Sequence, residues 1–363
     1  MDEFTPIIKP QRKRNNRSLF LAKFILSVIL LNIFYLGNVK AQQHAILDSM
    51  IRVLEAKSIY RDRVNWKTLK KTLNNSLDNS KTDPIEQAFP AIQKLYTELG
   101  DRHGQFIAEG KTIRSSSGTK KRSVDSMLYQ YALDEKYAFR TTVIDGKYGY
   151  FVLPSAQIDL DGSKDSTGAV ERISQMAQQL QDSLCSLNKS GIEGVIIDLR
   201  LCLGGTTWIH LGGLIPLFGE GPIFSIQLVG QKDKQIKAVK GDIYEENSKL
   251  AGTQANCTFN RKKVVVLLGP LTASAGEQTA VALRKLNNVK FVGERTAGYL
   301  TMTQLKHLGN DVFFSYTAGY VKDNMGQIYR DDFVPDIEVL GGDNFQSLKD
   351  DLKIKAAIKW MEN

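Results

Sequence analysis

Apolar residues recur at three- and four-residue steps over 44–100, where Ile46, Met50, Val53 and Leu54 form one stripe and Ile85, Phe89, Ile92, Leu95 and Leu99 another. That spacing predicts two or three amphipathic helices. The period changes from about residue 140 onward. Residues 148–154 read as a strand, and 194–200 and 264–269 are short continuous apolar runs, the pattern of strands buried on both faces of a sheet. Helices are predicted from the stripe Val170, Ile173, Ala177, Leu180 and Leu184, over 274–287, and over 345–360 at the C-terminus. Further strands are predicted over 289–293 and 312–321. Between the two patterns, 110–126 is polar, with Ser115-Ser-Ser-Gly118 and Lys120-Lys-Arg122, and reads as an exposed, strand-poor loop. The organisation is therefore a small helical domain over 42–110, a linker over 111–139 and an α/β core over 140–363.

The first 41 residues stand apart. They hold Lys9, Arg12, Lys13, Arg14, Arg17, Lys23 and Lys40 against Asp2 and Glu3, a net of +5 out of the formal +9 of the 363-residue chain. An apolar run from Leu19 to Gly37, interrupted by Lys23, precedes Val39-Lys-Ala41, the order of a secretory signal peptide cut after Ala41. The alternative is an uncleaved anchor at 19–37, although its charge-free part, 24–39, is 16 residues long, short of the roughly 18 that a spanning helix needs. Either way the remainder is expected in an exported compartment, periplasmic or secreted. Removing this segment leaves a net of only about +4 on 42–363, so the basic balance describes destination more than partners. Cys185, Cys202 and Cys257 are widely spaced without a C-x-x-C, which signals neither a zinc site nor a redox dithiol. One disulfide with one free thiol, or three thiols, are both open.

Three segments carry candidate chemistry. Leu271-Thr-Ala-Ser-Ala-Gly-Glu277 follows the buried run 264–269 and opens a helix, which sets the Ser274 hydroxyl at a helix N-terminus, where free N–H groups favour an oxyanion. The same letters, Ser274-x-x-Glu277, also satisfy a capping box with no catalysis implied. Asp198-Leu-Arg-Leu-Cys-Leu-Gly-Gly205 is a buried strand ending in paired glycines, whose N–H groups can approach a ligand closely, or which simply make a tight turn. Leu99-Gly-Asp-Arg-His103-Gly sets one histidine at the end of the helical region, a base or a surface residue.

Taken in order, these segments resemble the carboxy-terminal-processing, or tail-specific, serine peptidases, a family that includes the tricorn core. The blocks are Leu-Gly-Asp-x-His at 99–103, Tyr-Gly-Tyr-Phe at 148–151, Asp-Leu-Arg-x-x-x-Gly-Gly at 198–205, Thr-Ala-Ser-Ala-Gly-Glu at 272–277, Gly-Glu-x-Thr-x-Gly at 293–298 and Val-Pro-Asp at 334–336. The resemblance implies an α/β, crotonase/Clp-like core, Ser274 as nucleophile, and Ala275 with Gly204 or Gly205 as the oxyanion hole. It implies no metal and no cofactor. Where the processing branch has a Lys base after Thr-x-Gly, this chain has Tyr299, and Lys306 is displaced. The tricorn-like branch uses the histidine of the first block, here His103. Supporting acids in the family make Glu277, Asp331 and Asp332 candidates for orienting it. Cys202 replaces an Asn common in the glycine block. Only 44 residues lie between His103 and Tyr148, fewer than a PDZ insert with its own strands requires.

Two functions follow as expectations. One is an exported peptidase acting on peptide or protein substrates through an acyl-enzyme. The other is a catalytically silent protein that keeps the cleft for a peptide or an apolar ligand. The distance between His103 and Ser274 separates them. Nucleic-acid binding rests only on Lys120-Lys-Arg122 and Arg261-Lys-Lys263, with no recognition motif, and is not expected.

Overall fold

The computed structural model describes residues 45–116, 124–158, 166–188, 191–254, 257–259, 262–309 and 311–363. The expected signal segment and the 120–122 cluster lie outside them. In chain order the elements are α1 (45–57), α2 (Trp66–Asn74), α3 (Pro84–Leu99), β1 (Gln105–Ala108), β2 (Lys111–Arg114), α4 (Ser126–Leu133), α5 (Glu135–Ala138), β3 (Thr141–Ile144), β4 (Tyr148–Val152), α6 (Ser166–Asn188) and β5 (Gly194–Asp198). There follow α7 (Thr207–Phe218), β6 (Gly221–Leu228), β7 (Lys234–Val239), β8 (Asp242–Glu245), β9 (Ser248–Gly252), β10 (Lys263–Leu268), α8 (Ala275–Leu283), β11 (Val289–Gly293), β12 (Thr301–Gly309), β13 (Val312–Lys322), β14 (Ile328–Tyr329), β15 (Ile337–Glu338) and α9 (Leu352–Glu362).

Six strands form a sheet in the order β15-β11-β10-β5-β4-β3, parallel except for the β3–β4 pair. Its central strands alternate between two cores. Val195, Ile197, Val264, Val266 and Leu268 face α6, α7 and α8, while Ile196, Val265 and Leu267 face α9 through Ile354, Ala357 and Met361. This is why the two runs read as uninterrupted apolar sequence. The second sheet is antiparallel and ordered β2-β1-β13-β6-β7-β8-β9, with β12 and β14 also on β13. The expected mixed α/β core with a small helical region before it is what the structure holds.

One expectation needs correction. The 111–139 linker carries structure: β2 pairs with β1, and α4 and α5 follow, with Leu128, Tyr131 and Tyr137 packed against Leu201, Leu271 and Phe345. Polar surface hairpins and one-sided short helices present too few apolar residues for a periodicity reading to register. The N-terminal helices share the core of the sheets. Met50, Leu54, Leu95 and Tyr96 belong to the same apolar core as Phe314 and Ile197, and the Tyr96 hydroxyl donates to the Ser315 carbonyl at 2.8 Å.

Cys185 and Cys257 form a disulfide across 72 residues, and Cys202 is free and buried. This selects the first of the two cysteine alternatives. Among the described residues no helix is long and apolar enough to cross a membrane.

Candidate active site

Three local devices bring distant residues together. The first is the end of α3. Asp83 caps its start, accepting from Ile85 and Glu86 N–H at 2.7 and 2.9 Å, and Gly100 ends it in the left-handed conformation. The buried carboxylate of Asp101 then accepts from Gly104 N–H at 2.8 Å, Thr317 N–H at 2.9 Å and Thr317 Oγ1 at 2.6 Å. The Asp of the first block therefore fastens the turn to β13, and His103 is carried on that turn.

The second device is the turn from β10 into α8. Thr272 Oγ1 accepts from Gly269 N–H at 3.0 Å and donates to the Leu199 carbonyl at 2.9 Å. Ser274 has φ 50 and ψ −110, a region a side-chain-bearing residue rarely occupies. The expected capping box with Glu277 is present, but an ordinary N-cap takes extended angles, so capping alone does not account for this conformation. Glu277, fully buried, accepts from Ser274 N–H at 2.9 Å, Gly298 N–H at 2.9 Å, Tyr299 N–H at 2.8 Å and the Thr296 hydroxyl. Burial pushes its pKa up to about 7 against the pull of those donors. The Thr-x-Gly of the fifth block is thus half of a clamp whose other half is Glu277.

The third device is the glycine turn after β5. Gly204 and Gly205 have φ of +117 and +126. A Cβ on Gly205 would stand 2.0 Å from the Ala156 carbonyl oxygen, and one on Gly204 would stand 3.0 Å from Ser274 Cβ, so only glycines fit and the turn lies against Ser274. The Asp-Leu-Arg part of that block serves as an anchor. Arg200, 2% exposed, forks onto Asp198 and reaches Asp343 at 2.6 Å and Asp351 at 2.7 Å, while Tyr150 donates to Asp198 at 2.7 Å. Cys202 packs beneath the turn, and burial pushes its thiol up to about 12 although the Gly204 N–H lies against the sulfur, which leaves it inert as a nucleophile.

His103 and Ser274 meet. His103 Nε2 is 3.0 Å from Ser274 Oγ, and Nδ1 is 2.8 Å from Thr301 Oγ1. Burial, with a smaller contribution from the Arg114 charge, lowers the imidazole pKa to about 4, so the ring is neutral near pH 7 and able to accept a proton. In the tautomer protonated on Nδ1, that nitrogen donates to Thr301 Oγ1 and Nε2 is left to accept from Ser274 Oγ. Tyr299 lies edge-on to the ring at 5.5 Å between centroids.

The expected supporters fall elsewhere. Glu277 touches the backbone of Ser274 and not the imidazole. Asp332 pairs with Arg295 at 3.0 Å, and Asp331 meets the site only through its carbonyl, which accepts from Leu300 N–H at 3.2 Å. Lys306 is exposed on β12, five residues past Thr301. Thr301 itself was not anticipated, because a threonine at the start of a strand carries no chemical signature and its partner is 198 residues away.

A sequence profile described as "Peptidase family S41" matches residues 147–339, just over half of the chain. The chain belongs to peptidase family S41. It is 26% identical over 332 residues, 89% of this chain and 93% of the other, to the nisin-resistance protein of Lactococcus lactis. It is 35% identical to the carboxy-terminal processing protease CtpA of Bacillus subtilis over 130 residues, which is 36% of this chain and 25% of that protein. Among solved structures, a lipoprotein from Streptococcus agalactiae superposes with a TM-score of 0.63 at 19% identity, covering 89% of this chain and 96% of that one. A peptidase from Parabacteroides merdae gives 0.56 at 17% identity, covering 87% and 96%. These two likenesses concern the fold. The S41 profile begins at residue 147, so the segment carrying His103 precedes it.

Proposed function

We propose that this chain is an exported serine peptidase in which Ser274 is the nucleophile, His103 the general base and Thr301 the group that orients His103. The observation that carries the reading is the 3.0 Å contact of His103 Nε2 with Ser274 Oγ, made by a serine held in a strained turn at a helix N-terminus. A protein that only bound ligands has no use for a strained serine facing a neutral imidazole, so the geometry favours hydrolysis over silent binding. The disulfide supports an oxidising, exported compartment, as does the likeness to a nisin-resistance protein and a lipoprotein.

The steps balance within these residues. As Ser274 Oγ bonds to a peptide carbonyl carbon, its proton passes to His103 Nε2 and the carbonyl electrons move onto oxygen. As the first residue of α8, Ala275 has an N–H without an intrahelical acceptor. The turn's bridge to Ala156 is donated by Thr206 rather than Gly205. These two N–H groups, on Ala275 and Gly205, receive the oxyanion, with Gly204 shaping the turn. Collapse breaks the C–N bond, and His103 returns the proton to the departing amine. Water then attacks the ester, losing a proton to the same nitrogen, which restores Ser274.

Fluorophosphonate labelling of the wild type, Ser274→Ala and His103→Ala tests this. Labelling is expected in the wild type alone, and labelling that persists in Ser274→Ala rules out the nucleophile. Peptide substrates, nisin among them because of the named relative, are then followed by mass spectrometry for cleavage that Ser274→Ala lacks.

A further inference from the structure

The two N–H groups assigned to the oxyanion come from different elements: Ala275 opens α8, and Gly205 belongs to the turn after β5. Their separation has to match one oxygen atom to within a few tenths of an ångström, because donors act only at about 2.7–3.1 Å from the developing charge. One buried side chain touches the supports of both. His210, on α7 and 0% exposed, donates from Nε2 to the Pro154 carbonyl at 2.9 Å, and its Nδ1 lies 3.1 Å from Thr279 Oγ1. Thr279 Oγ1 also lies 2.7 Å from the Ala275 carbonyl, on the first turn of the nucleophile helix, so its single proton is shared between that carbonyl and the unprotonated Nδ1. From Pro154 the chain runs directly into the glycine turn's support. Ser155 Oγ accepts from Leu203 N–H at 2.8 Å, and the Ala156 carbonyl accepts from Thr206 N–H at 2.6 Å.

The chemistry of the ring suits a spacer. A carbonyl only accepts, so the proton is fixed on Nε2, and burial holds the imidazole neutral, with its pKa lowered to about 4. The ring is rigid and presents polar atoms on opposite edges, whereas an aliphatic side chain offers none and a lysine would bring an unpaired charge into the core. Nothing in the proton transfers between Ser274 and His103 uses it. A buried polar residue tied at both ends and unused by the reaction calls for a role between the things it ties.

We propose that His210 is a positioning residue that sets the separation of the Gly205 and Ala275 N–H groups, so that the oxyanion hole is spaced by a buried imidazole bridging Pro154 and the first turn of α8. The inference rests on the assignment of Ser274 as the nucleophile.

The test is the rate of fluorophosphonate labelling of the full chain from about pH 3.5 to 9, comparing the wild type with His210→Phe, His210→Gln and Thr279→Val. The phosphonyl oxygen of the probe occupies the oxyanion position, so the plateau rate reports the hole and the acid limb reports His103. His210→Phe is expected to lower the plateau roughly ten- to hundredfold. His210→Gln, which keeps a donor toward Pro154, recovers most of that loss, and in every variant the acid limb stays near 4, where His103 titrates. A plateau equal to the wild type's in His210→Phe overturns the proposal. A lower plateau with a displaced acid limb also overturns it, since that result means general loosening of the His103–Ser274 pair. If His210→Phe does not fold, Thr279→Val removes one hydroxyl from the same chain and is read in the same way, with an unchanged plateau overturning the proposal. A wild type that does not label at all refutes the nucleophile itself, a result distinct from equal plateaus.

Discussion

Replacing Thr301 by valine is the sharpest probe of how His103 is held. Valine keeps the shape and the β-branching that suit the first residue of β12, and it deletes only the oxygen 2.8 Å from His103 Nδ1. In the resting state that bond joins two neutral groups and contributes about 0.5–1.5 kcal/mol. In the proposed mechanism His103 takes the Ser274 proton and becomes a cation, and the Nδ1–H bond becomes charge-assisted, contributing about 1.5–3 kcal/mol. Thr301 is 4% exposed, so water does not readily replace the lost acceptor. At about 1.4 kcal/mol per factor of ten, kcat/KM for peptide hydrolysis should fall roughly ten- to hundredfold. Thr301→Ser, which restores an oxygen, should recover to within a few-fold. The assay is the fluorophosphonate labelling rate or cleavage of a peptide substrate, with a melting curve to show that both variants fold. A Thr301→Val rate within about threefold of the wild type refutes the orienting role, and so does a serine variant as slow as the valine one.

Three further outcomes follow from the same geometry. Because burial lowers the His103 pKa from 6.5 to about 4, the unfolded chain takes up that proton first, so its contribution is present above pH 6.5 and is lost as pH falls toward 4. Glu277, raised from 4.5 to about 7, acts oppositely, contributing stability at low pH that is lost as pH rises through 7. Urea midpoints at two pH values should therefore show a smaller acid loss in His103→Asn than in the wild type, and equal losses contradict the buried neutral histidine. Reducing Cys185–Cys257, which closes 72 residues, should destabilise the chain by up to about 4 kcal/mol, seen as a lower urea midpoint under reductant, while Cys202 resists alkylation until the chain unfolds. Arg200→Met leaves the fully buried Asp198 and Asp351 without their cation and should lose about 3–5 kcal/mol; an unchanged melting temperature would show that the cluster is not the anchor of the β5 turn.

The legibility of this chain varied with how local each cause was. The buried strands β5 and β10 read directly, because each carries its two-faced environment in its own apolar letters. Strands β6 to β9 and β12 did not. They are half-exposed hairpin strands, some with broken register, and their letters do not distinguish them from loops. At the site, Ser274, His103 and the paired glycines were legible as ordered blocks. Of the acids expected to support His103, Asp332 pairs with Arg295 and Glu277 is engaged by the 296–299 backbone and Ser274. Several residues of the quoted blocks, Asp101, Asp198, Arg200 and Asp336, are fastenings: the last accepts from Phe291 N–H at 2.9 Å and pairs with Arg284 at 2.8 Å.

By itself, the sequence determined the buried strands, the helix stripes, the strand-to-helix turn at Ser274 and a turn at the paired glycines 204–205, because each follows from side-chain periodicity or from residue type. Only the tertiary structure decided that Ser274, while capping α8, is held at strained backbone angles, that His103 faces it across 171 residues of chain, and that Thr301 stands behind the imidazole. Hydrogen bonds form at about 3 Å between groups whose order along the chain is irrelevant to their meeting. A hydroxyl or an imidazole acquires its role from the neighbour the fold supplies, and for His103 that neighbour arrives on β12.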